Sequence, residues 1–179
     1  MELPKTLNIG ALQAGFRSGA LSPESLMREV LQRIRTYDDP AVWISRHDDE
    51  RLLASARALG ARPRDDQPLW GIPFAVKDNL DVAGLPTTAG CPTFAYAPSA
   101  DAEVVARLRA AGALVIGKTN LDQFATGLNG TRSPHGAPRC VYNRDYIAGG
   151  SSSGSAVAVA AGLVSFALGS DTAGSGRVP

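Results

Sequence analysis

The chain has 179 residues, 44% hydrophobic and 20% charged, which supports one folded domain with a real core and excludes a disordered chain. Eighteen basic residues against seventeen acidic ones leave a formal charge of +1, so no electrostatic footprint for nucleic acid or an anionic membrane is present. The densest charge cluster, Arg62 to Asp66, mixes both signs and reads as a solvated loop. The start, Met1-Glu2-Leu3-Pro4-Lys5, lacks the basic and apolar regions of a secretory signal, and no apolar run reaches membrane-spanning length. Cys91 and Cys140 have no CxxC partner, so two free, buried thiols in the cytoplasm are expected.

In chain order, a short helix is expected near Ile9 to Phe16. Ser22-Pro23-Glu24 then opens a second helix with an N-cap serine, a first-turn proline and an acid, and Leu26, Val30, Leu31 and Ile34 share one face. Asp38-Asp39-Pro40 ends it. Ala41 to Ser45 reads as a strand, Asp48 to Leu59 as a helix, and Ile72 to Val76 as a buried strand ending abruptly at Lys77-Asp78-Asn79. Ala102 to Ala111 is helical, with Val104, Val105, Leu108 and Ala111 on one side and Gly112 as C-cap. Leu114-Val115-Ile116 is a strand, Asn120 caps a short helix from Leu121, and Gly127 to Asn143 is a long loop. Ser155 to Leu168 reads as a buried helix. Strands alternating with helices predict an α/β domain on a mixed, mostly parallel sheet covered by helices. The chain stops at Gly176-Arg177-Val178-Pro179, directly after its most unusual loop, so a fold incomplete at the C-terminus is expected.

Three motifs invite chemistry. Gly112 to Thr119 matches the phosphate-loop pattern, but its four central residues, Ala-Leu-Val-Ile, form an apolar strand rather than an open loop, and a helix precedes it. Gly150-Ser151-Ser152-Ser153-Gly154 matches the nucleophile elbow, yet no histidine follows His135 to serve as its base. His47 and His135 stand 88 residues apart without metal-pair spacing and read as surface or loop hydrogen-bonders.

Without histidine or metal, a serine can still be activated by a neutral lysine. Bringing an amine from about 10.4 down to neutrality takes on the order of 4 kcal/mol, which burial supplies by penalising the charged form. Lys77 follows a buried apolar run and fits that demand, although composition alone favours a lysine paired with Asp78 or Asp81 at a strand end. From Ala148 to Gly176, 22 of 29 residues are Ala, Gly, Ser or Thr, and Asp171 is the only charged one. This composition allows the close backbone approach that a dense buried site requires. Two serine loops flank the helix of this region: Ser151 lies just ahead of its N-terminus, and Thr172 to Ser175 forms a turn whose N–H groups can converge on an oxyanion. Ordinary turn chemistry is the plainer reading of both. Asp171 and Arg177 are expected to pair across the second loop.

These residues resemble the amidase signature family of serine hydrolases. The segments are Gly71 to Asn79, Gly117 to Phe124, Gly149 to Ser155 and Gly169 to Pro179, with intervals of 74 residues from Lys77 to Ser151 and 24 from Ser151 to Ser175. The resemblance implies the amidase-signature fold, with residues 1–179 as the N-terminal part of a single amidase domain. It also implies a Ser-Ser-Lys triad in which Ser175 attacks the amide, Ser151 relays its proton and neutral Lys77 is the base. Backbone N–H groups of Thr172, Ala173, Gly174 and Ser175 would form the oxyanion hole. Within the family the chain looks most like the branch that hydrolyses allophanate in urea degradation, on Ala41 to Ser45, Asn120 to Pro134 and Gly174 to Pro179. The amidotransferase component that amidates mischarged transfer RNA usually has methionine and isoleucine where this chain has Thr126 and Gly176; that component and a general small-amide amidase are the alternatives. The resemblance further implies that Thr126 and Gly127 line the pocket. An arginine for the substrate carboxylate is expected beyond Pro179, with Arg132 and Arg139 as alternatives. No metal and no cofactor are implied; a small-molecule amide substrate is, a homodimer is compatible with the family, and a functional pairing with a biotin-dependent urea carboxylase follows from the branch.

Overall fold

A computed structural model describes residues 5–61 and 63–179; Met1–Pro4 and Arg62 of the charge cluster lie outside the described residues. Helix α1 (Ile9–Ser18) is capped by Asn8, whose side chain accepts from the Ala11 N–H, and ends on left-handed Gly19. Helix α2 (Pro23–Thr36) starts as its sequence dictates: Ser22 accepts from the Ser25 N–H, and Ser25 reciprocates. A 3₁₀ turn (Pro40–Val42) leads into β1 (Trp43–Arg46), and Asp48 caps α3 (Asp49–Ala58). Then follow β2 (Pro73–Lys77), α4 (Glu103–Ala110), β3 (Leu114–Thr119), α5 (Ser153–Ala160) and β4 (Phe166–Leu168).

The sheet order is β1-β3-β2-β4, with β2 parallel to both β3 and β4 and only the β1–β3 pair antiparallel. Side chains alternate across it. Ala75 and Ile116 face α2, α3 and α5 in the larger core with Leu26, Val30, Leu52 and Val157, whereas Phe74, Val76 and Val115 pack with Val82, Leu85 and Val105 on the other side. Both faces are therefore covered, as parallel strands require. A register shift between Phe74 and Val76 sets Val76 opposite Lys118 and Lys77 opposite Thr119. Lys118 thereby shares the face of Val76, and Lys77 and Thr119 share the face of α5. Gly117 sits at this irregularity because a Cβ there would lie 2.5 Å from the Ser45 carbonyl oxygen.

Several expectations need correction. The helix expected over Ser155 to Leu168 is α5 followed by a strand: left-handed Gly162, with φ +67°, ends the helical course, and Phe166 reaches β2, its ring stacked on Phe74 at 5.0 Å. Asn120 caps no helix; its side chain donates to the Ala41 and Gly136 carbonyls, and the turn that follows is a 3₁₀ segment, Gln123–Ala125, preceded by Asp122. Ala111 is the C-cap of α4 and Gly112 follows it in the left-handed region. Val104 is exposed rather than packed, and both cysteines are only half-buried. His47 is buried, not a surface residue. The phosphate-loop match is a strand followed by a turn, as its apolar centre required: Lys118 is sealed in the core 2.9 Å from Asp78 Oδ1. Among the described residues no helix is long and apolar enough to cross a membrane.

Candidate active site

Lys77 ends β2 between two parallel neighbours, on the face toward α5, and is fully buried. Its Nζ lies 2.7 Å from Ser151 Oγ, 2.9 Å from Ser152 Oγ and 2.9 Å from Ser170 Oγ. No carboxylate comes within ion-pair distance of it among the described residues. Burial lowers its pKa to about 8; Asp122 and Asp171, both more distant, pull the other way. A neutral amine has two N–H donors and one lone pair. If Ser152 and Ser170 receive the donors, the lone pair is left for the Ser151 hydroxyl, which is the arrangement a proton acceptor needs.

The loops that bring these serines in are held by two acids, Asp122 in the core and Asp171 nearer the surface. Asp122 accepts from the Gly130 and Arg132 N–H groups, and its own N–H donates to the Ser151 carbonyl, so this one residue ties the Gly130–Arg132 loop through its carboxylate and the Ser151 loop through its backbone. A Cβ at Gly127 would stand 2.5 Å from Asp122 Oδ2, which is why glycine occupies that position. The Gly150–Ser151 peptide is cis. Asp171 organises the other loop: it accepts from the Gly174, Gly176 and Arg177 N–H groups and from the Arg177 guanidinium, which is the expected pair, and these donors hold its carboxyl far below the usual carboxylate range.

Ser175 is buried, and its carbonyl accepts the Ser152 N–H at 3.0 Å, so its backbone lies against the Lys77–Ser151 pair. Its Oγ reaches only the Gly127 carbonyl, at 3.5 Å; among the described residues no hydrogen bond joins it to Ser151 Oγ. Of the predicted oxyanion donors, Gly174 is already committed to Asp171, while Thr172, Ala173 and Ser175 keep N–H groups without an acceptor among the described residues. Thr126 is exposed and its hydroxyl donates to the Gln123 carbonyl, with Gly127 next to it. The Arg132 guanidinium donates to the Thr126 carbonyl, beside these residues, whereas Arg139 is anchored through its backbone to Asp39.

Sequence reasoning missed Ser152 and Ser170 as partners of the amine, Asn79, which donates to Ser170 Oγ at 3.0 Å, and Asp122. A signal existed for Asp122: an acid followed by a glycine-rich loop offers many free N–H donors. The nucleophile elbow does not form, because Ser152 follows a loop rather than a strand and its Oγ meets Lys77 Nζ and the Ser170 carbonyl.

The chain matches the family described as Amidase over residues 25–179. It is 59% identical over 138 residues to urea amidolyase of Saccharomyces cerevisiae, covering 76% of this chain and 8% of that protein. The A-type component of glutamyl-tRNA(Gln) amidotransferase from Symbiobacterium thermophilum is 40% identical over 178 residues, covering 97% of this chain and 36% of that one. Among solved structures, allophanate hydrolase of Kluyveromyces lactis aligns with a TM-score of 0.85 and 47% identity over 98% of this chain and 29% of its own. The chain therefore spans less than a tenth of the urea amidolyase it matches.

Proposed function

The chain belongs to the amidase family, and from that premise we propose that it carries the triad of an allophanate hydrolase and is the N-terminal part of a single amidase domain. The mixed sheet agrees with that family's solved relatives. The higher identity to urea amidolyase than to the transfer-RNA amidotransferase supports allophanate as substrate. The observation that carries the mechanism is the buried, carboxylate-free amine of Lys77 at 2.7 Å from Ser151 Oγ.

Ser175 Oγ attacks the amide carbon while its proton passes to Ser151, and the proton of Ser151 passes to Lys77. The oxyanion forms against the N–H groups of Thr172, Ala173 and Ser175. The C–N bond breaks as Lys77, through Ser151, returns a proton to the nitrogen; ammonia leaves and the acyl group stays on Ser175. Water then attacks with the same relay, and the product loses carbon dioxide. The Ser151–Ser175 contact closes in the substrate complex, since such bonds are often long in the free enzyme. Arg132 is the arginine on this chain best placed for the substrate carboxylate. A cytoplasmic location and a functional pairing with a biotin-dependent urea carboxylase accord with the half-buried free thiols and the urea amidolyase similarity.

The test is ammonia release by the full-length protein with allophanate, glutamine and a simple aliphatic amide side by side, without nucleotide. Preference for allophanate is expected; turnover only with glutamine, ATP and partner proteins would assign the amidotransferase alternative.

Because the base works only when neutral, kcat/KM is expected to rise with pH and level off above about 8. At pH 6 roughly one amine in a hundred is neutral, so the rate there should be about a hundredfold below the plateau. A profile flat from pH 6 to 9 would exclude Lys77 as the base.

A further inference from the structure

At the opposite end of β3 from Thr119, a cleft of about 220 Å³ opens between α3 and the turn from α4 into β3, lined by His47, Arg51, Arg109 and the apolar Leu59, Leu114 and Val115. We infer that this cleft binds a small oxyanion, held by the guanidinium groups of Arg51 and Arg109 and the imidazole of His47.

The three groups reach the cleft from three elements. Arg51 is in the first turn of α3 and its guanidinium lies over Gly84, where a Cβ would come within 2.8 Å of Nη2; among the described residues no acceptor takes its side-chain N–H groups. Arg109, in the last turn of α4, shares Asp101 through a single 3.4 Å contact, which leaves most of its five donors unengaged. His47 is 7% exposed, follows β1, and makes no side-chain hydrogen bond among the described residues. Its ring nitrogens are not sealed off and stay open to the cleft.

The electrostatics favour an anion. The charges that reach the imidazole are Arg51 and Arg109 on one side and Asp48 and Asp101 on the other, and the arginines dominate. Both acids have other work: Asp48 caps α3 through the Arg51 N–H, and Asp101 accepts the Ala83 N–H. Burial, reinforced by the arginines, lowers the His47 pKa to about 4, so the ring is neutral near pH 7. A bound anion reverses the local sign and favours the charged ring, so binding is coupled to proton uptake. The donor set of two guanidinium forks and one imidazole over an apolar floor suits a tetrahedral or planar oxyanion rather than a metal or an apolar ligand.

The probe is sodium sulfate, whose charge is constant from pH 5 to 8, titrated calorimetrically into the full-length protein at ionic strength held fixed with sodium chloride. Saturable binding is expected, tighter at pH 5.5 than at pH 7.5. It should weaken at least about tenfold in Arg51→Gln, which removes a charged hydrogen bond from an exposed position, while ammonia release stays unchanged. Competition by inorganic phosphate or by bicarbonate then identifies which physiological oxyanion the site takes. Absence of saturable heat, affinity unaltered in both Arg51→Gln and Arg109→Gln, or binding independent of pH would each overturn the assignment.

Discussion

Replacing Lys77 with methionine is expected to slow acyl-enzyme formation by about a thousandfold, the contribution typical of a general base. Methionine keeps the length and apolar stem of lysine, so the variant tests the amine rather than the packing. What disappears is the amine 2.7 Å from Ser151 Oγ, the one hydrogen-bond partner of that hydroxyl among the described residues. Lys77→Arg should give no rescue, because a guanidinium stays protonated and cannot take the proton. The measurement is the rate at which a fluorophosphonate labels the full-length protein at fixed pH. Labelling of Lys77→Met at the unsubstituted rate would remove the amine from the mechanism.

Ser175→Ala is expected to be the more severe change, lowering turnover by something on the order of a millionfold and leaving no covalent adduct. Its effect on stability should be small. The hydroxyl lost is buried, but among the described residues its one hydrogen bond is the 3.5 Å approach to the Gly127 carbonyl, too long to be worth much. A thermal midpoint within about 2 °C of the parent is the expected control. Combining Ser175→Ala with Lys77→Met should add little further loss, since members of a relay fail as a unit. Mass spectrometry of the labelled protein decides the matter: an adduct at any other position refutes the assignment.

Much of this was legible because it is local. The Ser22-Pro23 start of α2, the apolar run of β2 and the strand hidden in a phosphate-loop match all declare themselves within a few residues. Lys77 was legible for the same reason, as a charge at the end of an apolar run. β4 was not: three residues in a stretch of alanine, glycine and serine carry no periodicity, and only pairing with β2 makes them a strand. Nor could spacing reveal that Ser170 meets the amine across 93 positions, or that Asn79 steadies it. The competition for Gly174 was equally invisible, since an acid three residues earlier can turn its carboxylate inward or out to solvent. His47 was misjudged because it stands between two charged residues, of which Asp48 is exposed and Arg46 half-buried against Asp49, while the ring itself turns in.

An amine sunk among hydroxyls also governs how this fold answers alkali. Unfolded, Lys77 takes up its proton near pH 10.5; folded, near pH 8. Between those values the unfolded chain binds more protons, so this residue's contribution makes the fold firmer as the medium becomes more basic. Below pH 8 both forms carry the proton and the full burden remains, about 3 kcal/mol against folding. A hydrocarbon side chain in its place would carry no such burden, so the same property that makes Lys77 a usable base makes its own contribution to stability least favourable in acid and neutral solution.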